Sequence, residues 1–203
     1  VIATKPLARR DRLGTRFTGA DPGLATASSP FVVDLFCGLG GWSKVFIARG
    51  ARVIGVDLVA QPKYPSGAEF LQADCLTLDG AQFRGAALVV ASSPCDQFSP
   101  FAMPWTRKRN PPYPADGIAL FRAAERIARE AGAPLVLENV RAAQAFVGRA
   151  VTHVGPFYLW GDGIPALIPA SVIRKKKESY GSKQRAERAE IPAGLATAIA
   201  RFY

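Results

Sequence analysis

Phe31-Val32-Val33-Asp34-Leu35-Phe36-Cys37-Gly38-Leu39-Gly40-Gly41 decides the fold. Its first half is a short apolar run rich in β-branched residues, the pattern of a strand covered on both faces. Its second half is a glycine-rich turn, after which residues 42–49 carry a helical apolar pattern closed by Gly50. The alternation continues outward. Residues 52–57, 69–74, 87–91, 134–140 and 157–160 read as strands, the third being the strongest. Residues 117–131 read as a helix capped by Asp116, with Ile118, Phe121, Ala124, Ile127 and Ala128 on one face, and residues 192–202 as a final helix. Near-continuous apolar strands separated by helices predict an α/β domain with a mostly parallel sheet and helices on both faces.

The 203 residues suffice for one domain with a proper core, and no repeat or low-complexity tract interrupts it. Residues 100–114 hold five prolines and the consecutive basic residues Arg107, Lys108 and Arg109, so this stretch is a loop. The expected organisation is a basic arm over 1–30 and a single catalytic domain over 31–203. Within that domain lie a loop over 96–116 and a short basic segment over 161–190. Cys37, Cys75 and Cys95 are odd in number, lack Cys-x-x-Cys spacing and sit in or beside apolar strands, which argues for free thiols in a reducing, cytoplasmic setting. With one histidine, His153, and no Cys/His cluster, no metal site is expected. No run of 18 apolar residues is present, so no membrane span is expected. The start lacks both Met and an apolar leader, which reads as a beginning downstream of the true start rather than a processed signal peptide.

The formal charge of +10 is concentrated. Residues 1–17, 104–110 and 171–190 carry net +4, +3 and +4, and the remainder is close to neutral. Two readings stand: a polyanion-binding surface strengthened by counterion release, and a solvated basic surface that maintains solubility.

In a parallel sheet of this kind ligands bind at the carboxyl ends of the strands, near the switch in strand order. The glycines after Phe36 let a ligand approach the backbone, although the same turn fits dinucleotide binding or tight packing. Asp57 ends the second strand, placed to accept hydrogen bonds from ribose hydroxyls, and Asp74 ends the third, placed to accept one from an adenine amino group; each also fits a local cap. The fourth strand delivers Ser93-Pro94-Cys95-Asp96-Gln97-Phe98-Ser99, the next Glu138-Asn139-Val140. A carboxyl group after three apolar residues is expected to have a raised pKa, which suits Glu138 to proton donation; pairing with Arg141 is the alternative. Cys95 reads as a nucleophile favoured by the nearby basic loop, or else as a small buried hydrophobe.

Three stretches, 34–41, 93–99 and 138–140, resemble in order the cofactor-binding, catalytic Pro-Cys and Glu-Asn-Val motifs of the DNA cytosine-5 methyltransferase family. The resemblance covers most of the chain from Phe31 onward. It implies a Rossmann-like fold and S-adenosyl-L-methionine as cofactor, held around Phe36, Gly38, Gly40, Gly41, Asp57, Leu58, Asp74, Cys75 and Pro94. It also implies covalent catalysis. Cys95 adds to carbon 6 of a cytosine, Glu138 protonates ring nitrogen 3, and the activated carbon 5 accepts the methyl group. The base is flipped out of double-stranded DNA, with Arg107, Lys108, Arg109, Arg174, Lys175, Lys176 and Lys177 on the nucleic acid and Trp105 free to stack or to pack.

The chain departs from that family in three places. Residues 152–160 lack the usual Gln-x-Arg-x-Arg, so Arg141, Arg149 or His153 would substitute. Only Ile191-Pro192 remains of the Gly-Asn-Ser-Val-Pro-like motif, and only about twenty residues, 161–180, are available where the family inserts a recognition domain. A very short target, or little sequence preference, is therefore expected. An RNA cytosine-5 methyltransferase and a binding module that has lost catalysis remain alternatives, and oligomeric state and any restriction partner stay open.

Overall fold

The structure is a computed structural model and describes residues 17–18, 31–102, 113–172 and 191–203. Its elements run β1 (Phe17–Thr18), β2 (Phe31–Leu35), α1 (Gly41–Ala48), β3 (Arg52–Asp57), β4 (Glu69–Gln72), β5 (Ala86–Ser92) and α2 (Ser99–Ala102). These are followed by α3 (Ala115–Ala131), β6 (Leu135–Asn139), α4 (Gln144–Val147), β7 (Thr152–Val154), β8 (Phe157–Trp160) and α5 (Ala193–Ala200). Strands β2 to β8 form a seven-stranded, mostly parallel Rossmann-like sheet ordered β4-β3-β2-β5-β6-β8-β7, and the two-residue β1 extends it beside β4. Strands β2 to β6 are mutually parallel; β8 runs antiparallel to both β6 and β7.

The apolar strand runs are explained by burial on both faces. Val33, Leu35, Val56, Val89 and Leu137 pack with Phe121, Ala124 and Ile127 of α3 on one side. Val32, Val53, Leu88, Val90 and Val136 pack with Trp42 and Phe46 of α1 and Leu195 and Ile199 of α5 on the other. Each fully buried side chain of this size contributes about 1.5–3 kcal/mol. Two layers of helix over one sheet are thus what holds the strand ends in register.

The expected elements are present, but β1, α2, α4 and β7 were not expected, α2 places Ser99–Ala102 in a helical turn where a loop was read, and the start of α3 differs. Helix α3 begins at Ala115, with Pro114 at the cap position making no side-chain hydrogen bond, so Asp116 lies in the first turn instead of capping it. The acceptor comes from elsewhere: the Gln97 side-chain carbonyl takes the Gly117 N–H. Strand β7 was not expected, because three residues with His153 exposed at their centre carry no apolar run.

The strand order reverses at β2, whose neighbours β3 and β5 leave it in opposite directions along the chain. The carboxyl ends on either side of that point, at Leu35, Asp57, Ser92 and Asn139, therefore open onto one edge.

Candidate active site

The glycine turn forms one half of this edge. Phe36 has φ +56°, alone in the left-handed region among the described non-glycine residues, and Gly38 and Gly40 follow at +47° and +75°. The turn is closed by Cys37 N–H to Val56 O at 3.0 Å and Gly38 N–H to Asp57 Oδ2 at 2.9 Å. A Cβ on Gly38 would meet nothing nearer than the Phe36 carbonyl at 4.0 Å, so that backbone is open to a ligand. Gly40 is different: a Cβ there would lie 2.6 Å from Pro65, so its bareness serves packing of the chain after β3. Gly41 opens α1.

Both strand-end acids make local turns. Asp57 Oδ1 accepts from Val59 N–H at 3.1 Å, and Asp74 Oδ1 accepts from Leu76 N–H at 2.9 Å. Each carboxylate retains further lone pairs. Leu58, beside Asp57, is 64% exposed, whereas Cys75 is buried and burial pushes its thiol up to about 12.

Beneath the turn lies a polar cluster that sequence reading missed. Asp34 is fully buried; its Oδ2 accepts from the Ser43 N–H at 3.2 Å and from the Ser43 hydroxyl, while Oδ1 has no hydrogen-bond partner. Burial raises this carboxyl to about 7. The Ser43 hydroxyl also lies 2.6 Å from the Tyr64 hydroxyl, and the Tyr64 ring fits against β3 because position 55 is glycine; a Cβ there would collide with it. An orphaned carboxylate oxygen below an open glycine backbone, flanked by Asp57, Asp74 and an exposed Leu58, fits an adenosyl ligand bearing amino and hydroxyl donors.

The other half holds Cys95 and Glu138. Cys95 is partly exposed beyond the end of β5, after the exposed Pro94, and its carbonyl anchors the following turn through Phe98 N–H, Ser99 N–H and the Ser99 hydroxyl. Burial is the largest influence on the thiol and pushes it above its ordinary value; the Ser99 side chain opposes this, and Glu138 and Asp96 add to it. The expected basic assistance concerns Arg107, Lys108 and Arg109, which lie outside the described residues, as do Trp105, Arg174, Lys175, Lys176 and Lys177. Glu138 is raised to about 7, mainly by burial, with a hydrogen bond from Ser92 opposing. Ser92 is its register partner across β5 and β6, and the Ser92 hydroxyl accepts from Trp42 Nε1 at 3.0 Å.

Asn139 joins the two strand ends. Its Nδ2 donates to the Ser93 carbonyl at 3.0 Å and to the Ser93 hydroxyl at 2.9 Å, and its Oδ1 accepts from Val140 N–H at 2.8 Å. Asn139 is wholly buried, so these bonds are what make its polarity tolerable there. Its signal in the sequence was a carboxamide following a strand-end glutamate, quoted as part of a motif but given no role. Trp42, Ser92 and Gln97 likewise act through contacts between distant parts of the chain.

Among the described residues no helix is long and apolar enough to cross a membrane, no group of three His, Cys, Asp or Glu side chains is arranged to hold a metal ion, and all three cysteines are free. No curated protein matches the chain. Among the solved structures similar to parts of it are the following two. One is a prophage-encoded protein of E. coli assigned as a DNA modification methyltransferase, 20% identical over 57% of this chain and 33% of its own, with a TM-score of 0.39. The other is a variant of the 16S rRNA (adenine(1408)-N(1))-methyltransferase from Catenulisporales acidiphilia, 13% identical over 58% of this chain and 59% of its own, with a TM-score of 0.34. This chain thus spans a third of the first and under two thirds of the second. The family model described as FtsJ-like methyltransferase matches residues 15–130, from β1 through α3 and more than half of the sequence. With the sheet order and the glycine turn, that match makes the chain a member of the FtsJ-like methyltransferase family, a membership that implies S-adenosyl-L-methionine as cofactor.

Proposed function

We propose that this methyltransferase acts on carbon 5 of a cytosine in nucleic acid, with double-stranded DNA as the expected substrate and a short or relaxed target sequence. The observation that carries the reading is the pairing of Cys95 and Glu138 at the ends of adjacent parallel strands, tied by Asn139 to Ser93. A thiol and, on the same edge, a carboxyl raised to about 7 are the two groups this chemistry requires.

When bound, the cofactor supplies an electrophilic methyl group. Carbon 5 of cytosine is a poor nucleophile, so the Cys95 thiolate first adds to carbon 6, forming a carbon–sulfur bond and turning the ring into an enamine. Glu138, which holds its proton to about pH 7, donates it to ring nitrogen 3 as negative charge builds there. Carbon 5 then takes the methyl group. Loss of the carbon 5 proton to solvent water and expulsion of the Cys95 thiolate, with nitrogen 3 returning its proton to the Glu138 carboxylate, restore the aromatic ring. Gly38, Asp57 and Asp74 are assigned to orient the donor, and the buried floor of Asp34, Ser43 and Tyr64 supports the turn beneath it.

A 5-fluorocytosine duplex tests this. Fluorine at carbon 5 blocks the final elimination, so wild-type protein with cofactor is expected to form a denaturation-resistant adduct that Cys95→Ala abolishes. Absence of the adduct on every polymer, or its persistence in Cys95→Ala, would refute the covalent mechanism. A parallel arm with fluorocytosine RNA assigns the polymer: adduct on RNA alone would replace DNA as the substrate.

A further inference from the structure

A groove of about 510 Å³ opens at the β7–β8 hairpin, lined by Arg141, Gln144, Arg149, Thr152, His153 and Tyr158 among others. It begins just beyond the candidate acid. Arg141 follows Glu138 by three residues, a Cα separation of at most about 11 Å. Tyr158 is the register partner of Asn139 on one side and of His153 on the other. Because β8 is antiparallel to β6, the hairpin turn lies at the carboxyl edge where Cys95 and Glu138 lie.

The lining has two complementary chemistries. Arg141 and Arg149 are exposed, and among the described residues no acidic side chain lines the groove and no ion pair engages either guanidinium. Their backbones are tied together: Gln144 Nε2 donates to the Arg141 carbonyl at 3.3 Å, and Gln144 Oε1 accepts from Ala150 N–H at 3.2 Å. The second chemistry is aromatic. His153 stacks on Tyr158 with centroids 4.8 Å apart and planes 14° apart. Its Nδ1 lies 3.2 Å from the Gly155 carbonyl, which fixes the ring and leaves its outer face exposed. Tyr158 is half-buried against the main core, so the platform has a rigid base. A small anion would use the guanidinium groups alone; a flat ring beside them matches a ligand that repeats charge and π-surface.

We propose that this groove binds an unpaired polynucleotide segment next to the reacting nucleotide, with Arg141 and Arg149 on phosphodiesters and the His153–Tyr158 stack under a base. The inference rests on the nucleic-acid reading above and adds a site to it, one that requires a duplex substrate to open locally beside the flipped cytosine. DNA and RNA share this chemistry, and sequence plays little part, because every base offers a π-face.

Fluorescence anisotropy with labelled single-stranded DNA and RNA dodecamers, each with and without abasic positions, tests it. Arg141→Ala and Arg149→Ala are each expected to reduce the slope of log K against log salt by about 0.7, while the lysine variants keep it. His153→Ala is expected to weaken the intact oligonucleotide about tenfold and the abasic one hardly at all, with His153→Phe restoring affinity. These side chains are exposed, and circular dichroism of each variant verifies the fold. An unchanged salt slope in both arginine variants, equal loss on intact and abasic strands, or no binding by wild type would overturn the site. The stronger of the DNA and RNA arms identifies the polymer. Loss of the cytosine reading appears separately, as absence of the fluorocytosine adduct from a protein that still binds these oligonucleotides.

Discussion

The Gln97 side chain caps α3 from a turn nearly twenty residues earlier in the chain: its carbonyl accepts from Gly117 N–H at 2.9 Å and its amide donates to Asp116 at 3.0 Å. The turn that carries Cys95 and the start of α3 are therefore one mechanical unit. Gly117 permits the approach, since a Cβ there would lie 3.1 Å from the buried Phe98 ring. Gln97→Ala should lower unfolding stability by about 1 kcal/mol in urea titration, the usual cost of losing a cap. It should also lower kcat for methyl transfer while leaving cofactor affinity near the wild-type value, because Gly38, Asp57 and Asp74 are on the other half of the edge.

Asn139→Ala removes the donor that serves Ser93 and the acceptor that serves Val140. One or more buried polar groups would be left unpaired, at about 1–3 kcal/mol each. The expected outcome is a fall of that order in denaturant stability, with slower formation of the fluorocytosine adduct even where the protein remains folded. Asn139→Asp should not rescue it, because a carboxylate cannot donate to the Ser93 carbonyl.

The pH dependence of methyl transfer should report Glu138. In the proposed mechanism the active form pairs a protonated Glu138 with an ionised Cys95, and the thiol is held above its ordinary value while the carboxyl is near 7. The rate should rise with pH up to about 7, level off as Glu138 ionises, and fall only once the thiol itself has titrated. Ser92→Ala removes a hydrogen bond that lowers the Glu138 pKa, so the limb near 7 should move to higher pH. Glu138→Gln should lower the rate by about 10²–10⁴ and erase that limb, leaving a rise that follows thiolate alone.

Asp34 predicts a stability effect of opposite sense to ordinary acid denaturation. The folded carboxyl keeps its proton to about pH 7, whereas the unfolded one loses it from 3.8. Its contribution is thus complete below 3.8 and is lost as pH rises through 7. Asp34→Asn retains an acceptor for Ser43 and does not titrate. The stability of wild type relative to Asp34→Asn should fall by on the order of 2 kcal/mol between pH 5 and 7, measured by urea unfolding at each pH.

The strands were legible in the sequence because five of them are buried on both faces and leave uninterrupted apolar runs. Strand β7 was not legible, since an edge strand with an exposed His153 needs no such run. The start of α3 was misplaced for a physical reason as well: its acceptor is supplied by Gln97, twenty residues earlier, and local capping rules cannot see that. Cys95 and Glu138 were legible as polar residues at apolar strand ends. The residues that hold them were not, because Asn139 meets Ser93 across 46 positions and Trp42 meets Ser92 across 50. Tyr64 was hidden for the same reason, its place set by the missing side chain of Gly55.

The antiparallel last pair has a consequence for how such a protein can diversify. A parallel strand must return across the whole sheet before it reaches the carboxyl edge again, but the reversal at Gly155-Pro156 happens on that edge itself. Lengthening this reversal would add residues to the substrate rim without moving any strand register. The opposite rim has no such freedom, because Asp57 spans from the end of β3 to Gly38 and Pro65 presses on Gly40. Under the proposed function, target choice and donor binding would thus lie on parts of one sheet that can be edited independently.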